Sequence, residues 1–589
     1  MKKKHYNLFF TSSKIKKIKK NEDIFAGEWC LNKFYQTTES SNSIQISNRE
    51  TKRNVLKEAR ICEKLYARLL EDLILHFNKI HKFNWNKRSW EIFLGPWLNR
   101  YVALFYDRYN CLDYIFKNYN IKKVQLTSDK KFDLVKQDLL DFRLTSQEDD
   151  WNLKLFSKIY INFFDNKKIK KKIIKVNSRN FNFLQNKPVK INNVRLVFNK
   201  VVNFFIKKFS FLFNVVFYKT SINSSKIILL LLLKKKKLYF PYDFKYQLPE
   251  IKSLSPRRKE KIGSAYKLTK FEKLLREFLF ELLPFYYLES IENLKYLNKN
   301  LILPPEKKTK IFSANALWLD GVFKFWLANA VSNKSQLNYF QHGCNYGTTK
   351  YCYSENIEIN VSDKFHTWGW SQKNKNINKF YSIKTIFFDQ FRKTNSKKIM
   401  FILGRPSNYT SHFNTGVITT KRTYIYFAMI IKIIKRFLNK KDVFFRLAPN
   451  DNKYFNLKKK LNKIFRNVKF ENSNKNLVNA SKHYGLIVHT CDGTSFLETI
   501  SLNKPSILIL SKELYKDHLR KSAIQYFKNL EKVKIIFTSV EQFIDFISKK
   551  NFSINEWWED KNTQKARKDF CIQFCRKSKE PFKDFMKII

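Results

Sequence analysis

Along the last third of the chain, short apolar runs alternate with longer segments in which apolar residues recur every three or four positions. The runs are Ile399 to Leu403, Val443 to Leu447, Leu486 to His489, Ser506 to Leu510 and Val533 to Phe537. Their β-branched and aromatic content predicts buried strands. The segments near 422–438, 454–465, 494–503, 512–529 and 540–549 read as helices. Strands alternating with helices predict a parallel sheet covered on both faces, a Rossmann-like domain over 391–555. A further helical stretch, 556–589, carries Trp557-Trp558 near its start.

The first 390 residues read less evenly. Strand-like runs at Tyr6 to Thr11 and Asp23 to Gly27 precede a long helix over about 52–80, whose stripe is Leu56, Ala59, Leu65, Leu69, Leu73 and Phe77. Another helix is expected from Trp90 to about Phe105. Residues 120–240, rich in Lys, Asn and Phe, mix periods without resolving. Order returns at Ile311-Phe312, a helix over 315–331, and Tyr339-Phe340. This predicts a second Rossmann-like domain, 1–390, with helical and Lys/Asn-rich insertions. The wholly apolar run Ile227 to Leu233 is far short of the ~20 residues a spanning helix needs, so it reads as a buried strand or helix segment.

Composition changes the picture in two ways. Glycine and proline are scarce, at 11 and 12 of 589 residues, while 44% are hydrophobic, which excludes collagen-like and Pro-rich disordered classes. The net charge of +64 comes from 114 Lys and Arg against 50 Asp and Glu. Lys, Asn, Ile, Phe and Tyr are the residues of AT-rich codons, so codon bias accounts for much of it. An anionic membrane surface remains open as a partner. The lysines are spread through the chain without a nucleic-acid-reading motif, so no nucleic acid is expected. The eight cysteines form no CxxC pair, which suits reduced thiols in the cytoplasm.

Where glycine is scarce, its positions are informative. Four loops carry it at the ends of apolar runs: Gly27-Glu-Trp-Cys30, Gln341-His-Gly-Cys-Asn-Tyr-Gly347, Gly404-Arg-Pro406 and His489-Thr-Cys-Asp-Gly-Thr-Ser495. Ligands of parallel sheets bind beyond the carboxyl ends of strands, so these loops are candidates for one cleft. Gly493, Thr494 and Ser495 open a helix whose N-terminus suits a phosphate, and Glu498 lies one turn in, within reach of ribose hydroxyls. The alternative is a capping box, since Ser495 and Glu498 have the S-x-x-E spacing. Arg405 and Arg446 follow strands and offer forks to phosphate; the alternative is a surface arginine. Glu28, in a cleft beside Trp29, suits a general base, or else a buried structural acid. His342 suits an acid/base or a ligand to an anionic substrate, or else a core histidine. HExxH, the Walker loop and GxSxG are absent from the sequence. Leu94-Gly-Pro-Trp97, Asp107-Arg108, Ser362-Asp363 and Thr367-Trp-Gly-Trp370 complete the set; their aromatics stack on sugars or simply pack helices.

Together these motifs resemble a family of bacterial sugar transferases encoded with O-antigen and surface-polysaccharide genes. The residues that carry the resemblance run from Gly27 nearly to Trp558, and include Arg446-Leu-x-Pro449, His489-Thr and Phe496-Leu-Glu498. The resemblance implies a GT-B-like α/β glycosyltransferase: two Rossmann-like domains facing a cleft, no metal, no cofactor, and a nucleotide-sugar as co-substrate. It implies Glu28 or His342 as the catalytic group. Arg405, Arg446, Gly493, Thr494, Ser495 and Glu498 would then hold the donor. Trp29, Gln341, Gly343, Asn345, Tyr346, Asp107 and Arg108 would line the acceptor side. The acceptor would be a glycan or lipid-linked glycan, met in the cytoplasm or at the inner face of the cell membrane. An epimerase acting on the nucleotide-sugar is the enzyme alternative, and a basic nucleic-acid binder the non-enzyme one. Cys344 stands where a second glycine is expected, and Cys491-Asp492 where small polar residues are.

Overall fold

A computed structural model of the chain describes residues 4–13, 15, 18–19, 21–31, 45–128, 134–176, 214–222, 238–239, 248–249, 251, 253–301, 303, 305–373, 376–392, 395–449, 451, 455–472, 475–515 and 518–589. The run Ile227 to Leu233 and much of 165–240 lie outside the described residues.

Three parallel sheets organise the chain. The first contains β1 (His5–Phe9), β2 (Asp23–Phe25), β3 (Gln45–Ile46), β4 (Asn120–Thr127) and β5 (Lys170–Ile174), in the order β3-β2-β1-β4-β5. The second contains β6 (Val215–Tyr218), β7 (Leu238–Tyr239), β8 (Lys310–Ser313), β9 (Gln336–Phe340), β10 (Lys364–Thr367) and β11 (Ile377–Lys379), in the order β11-β10-β9-β8-β6-β7. The third contains β12 (Ile399–Ile402), β13 (Val443–Arg446), β14 (Phe470–Glu471), β15 (Leu486–His489), β16 (Ser506–Ile509) and β17 (Ile536–Phe537), in the order β14-β13-β12-β15-β16-β17.

The fold is therefore mixed α/β with parallel sheets, as expected. The third sheet has the strand order of a Rossmann unit, with the order of winding switching between the parallel neighbours β12 and β15. The stretch 1–390, expected to hold one such unit, carries the first sheet, of the same strand order with its switch between β1 and β4, and the second sheet besides. Lysine explains the difference. β4 and β5 read Asn-Ile-Lys-Lys-Val-Gln-Leu-Thr and Lys-Lys-Lys-Ile-Ile, so charge masks the apolar signal of strands.

The helices follow their local chemistry. Val55–His81 is capped by the Asn54 side chain, which accepts from Lys57 N at 3.0 Å. The helix expected from Trp90 to Phe105 is two, Lys87–Phe93 and Gly95–Asn118. The break falls just before Pro96, which supplies no backbone N–H and sits in the first turn of the second helix. The terminal stretch divides into Ile554–Glu559, Lys561–Phe574 and Pro581–Ile588. One contiguous apolar core joins all three units, with Phe25, Phe312 and Phe401 fully buried in the respective sheets. Among the described residues, no helix is long and apolar enough to cross a membrane.

Candidate functional site

The switch in winding of the third sheet opens a crevice between the loops after β12 and β15. Gly404 closes one wall: a Cβ there would lie 2.8 Å from Cys491 Sγ, so the two loops approach this closely only with glycine. Gly404 N donates to the Tyr426 hydroxyl at 2.5 Å, and that hydroxyl also meets Thr490 Oγ1 at 2.7 Å. Asp492 is buried, with Oδ2 lacking a hydrogen-bond partner among the described residues, and burial raises its carboxyl to about 6. The helix Thr494–Ser501 starts at Gly493. The alternative capping box does not form. Ser495 is already inside the helix, and its Oγ meets His489 Nδ1 at 3.1 Å while Thr499 Oγ1 takes Nε2 at 2.9 Å. Burial holds His489 down at about 3, so its imidazole is neutral.

The loop after β9 lies over this helix start. Cys344 N donates to Thr494 Oγ1 at 3.1 Å, and Gly343 leaves only 3.1 Å between a Cβ position and the same oxygen. Inside the loop, Gln341 Oε1 accepts from Trp368 N at 3.0 Å and from Trp370 Nε1 at 2.8 Å. Gly347 has φ +70°, and a Cβ there would strike the Trp370 ring at 2.4 Å. Its N–H donates to Glu355 Oε2 at 2.7 Å, and Arg520 of the third-sheet unit pairs with Glu355 at 2.8 Å. Asn345 also has positive φ, and Tyr346 is buried with its hydroxyl 3.2 Å from His342 Nδ1. His342 Nδ1 lies 3.1 Å from Oε1 of the fully buried Glu358, which also accepts from Trp318 Nε1 at 2.5 Å.

The first sheet meets the third elsewhere. After β2, Gly27 gives room to the Trp29 ring, which would sit 2.2 Å from a Cβ. Trp29 is buried, donates to Phe10 O at 2.8 Å and packs on Tyr409 at 5.5 Å. Beside it Glu28 keeps Oε2 buried without a hydrogen-bond partner among the described residues. Burial lifts its carboxyl from 4.5 to about 7, with Glu50 adding to the rise and Lys421 opposing it. Lys421 opens the helix Lys421–Phe437, and Arg422 follows in its first turn.

Beneath Glu28 lies an ionic network. Asp107 accepts from Arg49 at 3.1 Å and from Arg108 at 2.7 Å and forms an ion pair with Arg53 at 2.9 Å, while Glu50 and Glu58 also pair with Arg49 and Arg53. Those three cations hold Asp107 down at about 2 despite its burial. Arg108 also donates to Asn152 Oδ1 at 2.9 Å and to Thr410 O at 2.6 Å. Asp107 and Arg108 thus lie inside the helix Gly95–Asn118, fully buried, and not on a loop.

The segment 405–420 ties the units together. Tyr409 OH donates to Asp149 Oδ1 at 2.8 Å in the first-sheet unit. Thr415 Oγ1 accepts from Tyr351 N at 3.2 Å, next to the loop after β9. Thr420 Oγ1 donates to Glu50 Oε2 at 2.6 Å.

The structure thus brings Gln341, His342, Gly343, Asn345 and Tyr346 to the edge that holds Gly493, Thr494 and Ser495. It brings Glu28 and Trp29 to Tyr409 and Lys421. Arg446 ends β13, where its guanidinium holds the carbonyls of Asn472 and Lys475 and lies near Glu498. Glu498 is raised by burial, against the pull of Lys384 and Arg446. Arg405 is exposed, near Asp451. Sequence reasoning missed Glu355, Glu358, Lys421, Arg422 and Tyr515, whose hydroxyl accepts from Asp492 N at 3.2 Å; none has a diagnostic spacing. Asp492 was visible only as a departure from a pattern.

A sequence model described as LIC12162 family transferase matches residues 7–589. The chain belongs to that family. No curated protein matches it. Among solved structures, the chain is similar to S. aureus MnaA solved with UDP, at 12% identity over 62% of this chain and 91% of that one, with a TM-score of 0.32. It is also similar to the UDP-GlcNAc 2-epimerase from Neisseria meningitidis bound to UDP-GlcNAc. There the identity is 13% over 60% of this chain and 97% of that one, with a TM-score of 0.31. Neither likeness is close enough to argue from.

Proposed function

We propose that this member of the LIC12162 transferase family moves a sugar from a nucleotide-sugar donor to a hydroxyl of a bacterial surface-polysaccharide acceptor. One observation carries the reading. At the carboxyl edge of a Rossmann-order sheet, Glu28, whose buried Oε2 has no hydrogen-bond partner among the described residues, lies near a helix start bearing Lys421 and Arg422.

In this reading the donor diphosphate lies in the crevice between Gly404 and Gly493, against the helix start at Thr494. Arg405 and Lys421 supply positive charge, with Arg446 contributing from behind while it holds its two carbonyls. Glu28, with its carboxyl at about 7, takes the proton of the acceptor hydroxyl. The freed oxygen attacks the anomeric carbon as the bond from that carbon to the phosphate oxygen breaks. The nucleoside diphosphate leaves with its charge balanced by the cations, work that a metal ion does elsewhere. His342, held by Glu358 and Tyr346, is the second candidate for the proton. The acceptor enters from the first-sheet side, and the basic surface suits a lipid-linked glycan at the inner face of an anionic membrane.

Purified protein mixed with UDP-, GDP-, CMP- and dTDP-sugars tests the reading. Stabilisation by one nucleotide class and glycosyl transfer to a glycan extract are expected. No binding to any of them overturns it, and conversion of a donor without acceptor turns it to an epimerase.

A further inference from the structure

Away from this site, a cavity of about 980 Å³ opens between the segment 381–390 and the last two helices, Lys561–Phe574 and Pro581–Ile588. It matches the upper range of volume that small organic ligands occupy, about 300–1,000 Å³. Its charge is one-sided, with six Lys and Arg on its walls against three Asp and Glu.

The carboxylates are already engaged. Asp584 pairs with Lys587 and accepts from Ser578, Glu580 pairs with Lys583, and Asp389 lies by Lys577. The inner cations are held by neutral groups. Arg567 is only 4% exposed, and it donates to Gln564 Oε1 at 2.9 Å, Ile500 O at 3.0 Å and Cys571 Sγ at 4.0 Å. Lys577 donates to the carbonyls of Thr385 and Phe388. Among the described residues, no ion pair reaches Arg567, Lys568, Arg576 or Lys579. A buried guanidinium without a counter-charge is costly, and an anion in the cavity would offset that cost.

The same walls carry apolar surface. Ile572 is 61% exposed on the helix face that bears Lys568. Phe387 and Phe582 pack together at 5.1 Å, and the Arg576 guanidinium lies over the Tyr381 ring at 4.7 Å. Cations beside an apolar wall fit a ligand with a charged head and an apolar remainder.

We propose that this cavity binds an amphiphilic organic phosphate. Arg567, Arg576, Lys568 and Lys579 take the phosphate, and Ile572, Phe387 and Phe582 cover the apolar part. The inference does not depend on the transfer reading.

Calorimetric titration of the full chain with octyl phosphate, inorganic phosphate and octyl glucoside tests it. Octyl phosphate is expected to bind at least ten-fold more tightly than either control. The double variant Lys568→Glu/Lys579→Glu, altered only at exposed positions, is expected to weaken it at least ten-fold. Arg567→Gln, with its unfolding midpoint recorded, probes the inner wall. Equal binding of octyl glucoside, no binding of octyl phosphate, or unchanged binding in the double variant overturns the proposal. Co-sedimentation with phosphatidylglycerol vesicles, lost in the double variant, assigns the phosphate to a lipid headgroup. Octyl phosphate binding without co-sedimentation assigns it to a free ester.

Discussion

The first and second sheets reach the third in opposite ways. The loop after β9 arrives with several polar groups matched, Gln341 to Trp368 and Trp370, Gly347 to Glu355 and Cys344 to Thr494, while Asn345 Oδ1 and Thr348 Oγ1 are buried without a partner among the described residues. The turn after β2 arrives with the Glu28 Oε2 buried and without a partner among the described residues, above a network in which Asp107, Glu50 and Glu58 share three arginines. A matched contact fixes position, because displacement strands the buried groups that it pairs. An unmatched carboxyl is poised to exchange a proton. On the proposed reading, one edge gives placement and the other carries the chemistry.

The largest effect should come from the chemical edge. Glu28→Gln is expected to lower transfer by about 10²–10⁴-fold with donor affinity kept, as for loss of a general base. Steady-state transfer beside donor titration checks it, and full activity would move the base to His342. Next is the network beneath. Asp107→Asn leaves the buried Arg108 without a carboxylate, while Arg49 and Arg53 keep Glu50 and Glu58, and should cost about 3 kcal/mol in denaturant unfolding. On the matched edge, Gly347→Ala forces a side chain to φ +70° and into the Trp370 ring. It should cost about 2 kcal/mol or more, read as a lowered unfolding midpoint. If it instead spares stability and abolishes transfer, the division between the edges fails.

The smallest effect is a pH dependence. Glu28 titrates near 4.5 in the unfolded chain and near 7 in the folded one. Between those values the unfolded chain has released a proton that the folded chain retains, so stability falls as pH rises through the window. Glu28→Gln should therefore raise the unfolding midpoint at pH 8 and leave it nearly unchanged at pH 4. Equal shifts at both values would mean that Glu28 is not buried as a lone carboxyl.

The third sheet was legible because its strands are short apolar runs with helical periods between them; Leu486 to His489 was read to the residue. The second and first were less so. The lysines of β4 and β5 hide the pattern, and neither β3 nor β7, at two residues each, offers a period to count. The candidate loops were readable because close approach demanded glycine at Gly27, Gly347 and Gly404 in a chain that has few. Their partners were not. Glu355 and Glu358 lie on the helix Tyr353–Val361, and their role comes from what folding brings against it. Arg446 had the residue type of a phosphate fork, but its donors were taken by the carbonyls of Asn472 and Lys475.

The segment 405–420 has a further consequence, in the order of synthesis. Residues 1–390 leave the ribosome first, and N-terminal units of a growing chain generally fold first, at about 5–20 residues per second of elongation. Arg108 and Asp149 must then wait for Thr410 and Tyr409, as Glu50 must wait for Thr420. For those seconds the nascent first unit carries a charged, unfinished face. A chain stalled or cut before residue 405 would keep that face for good, and would be the form most exposed to chaperones.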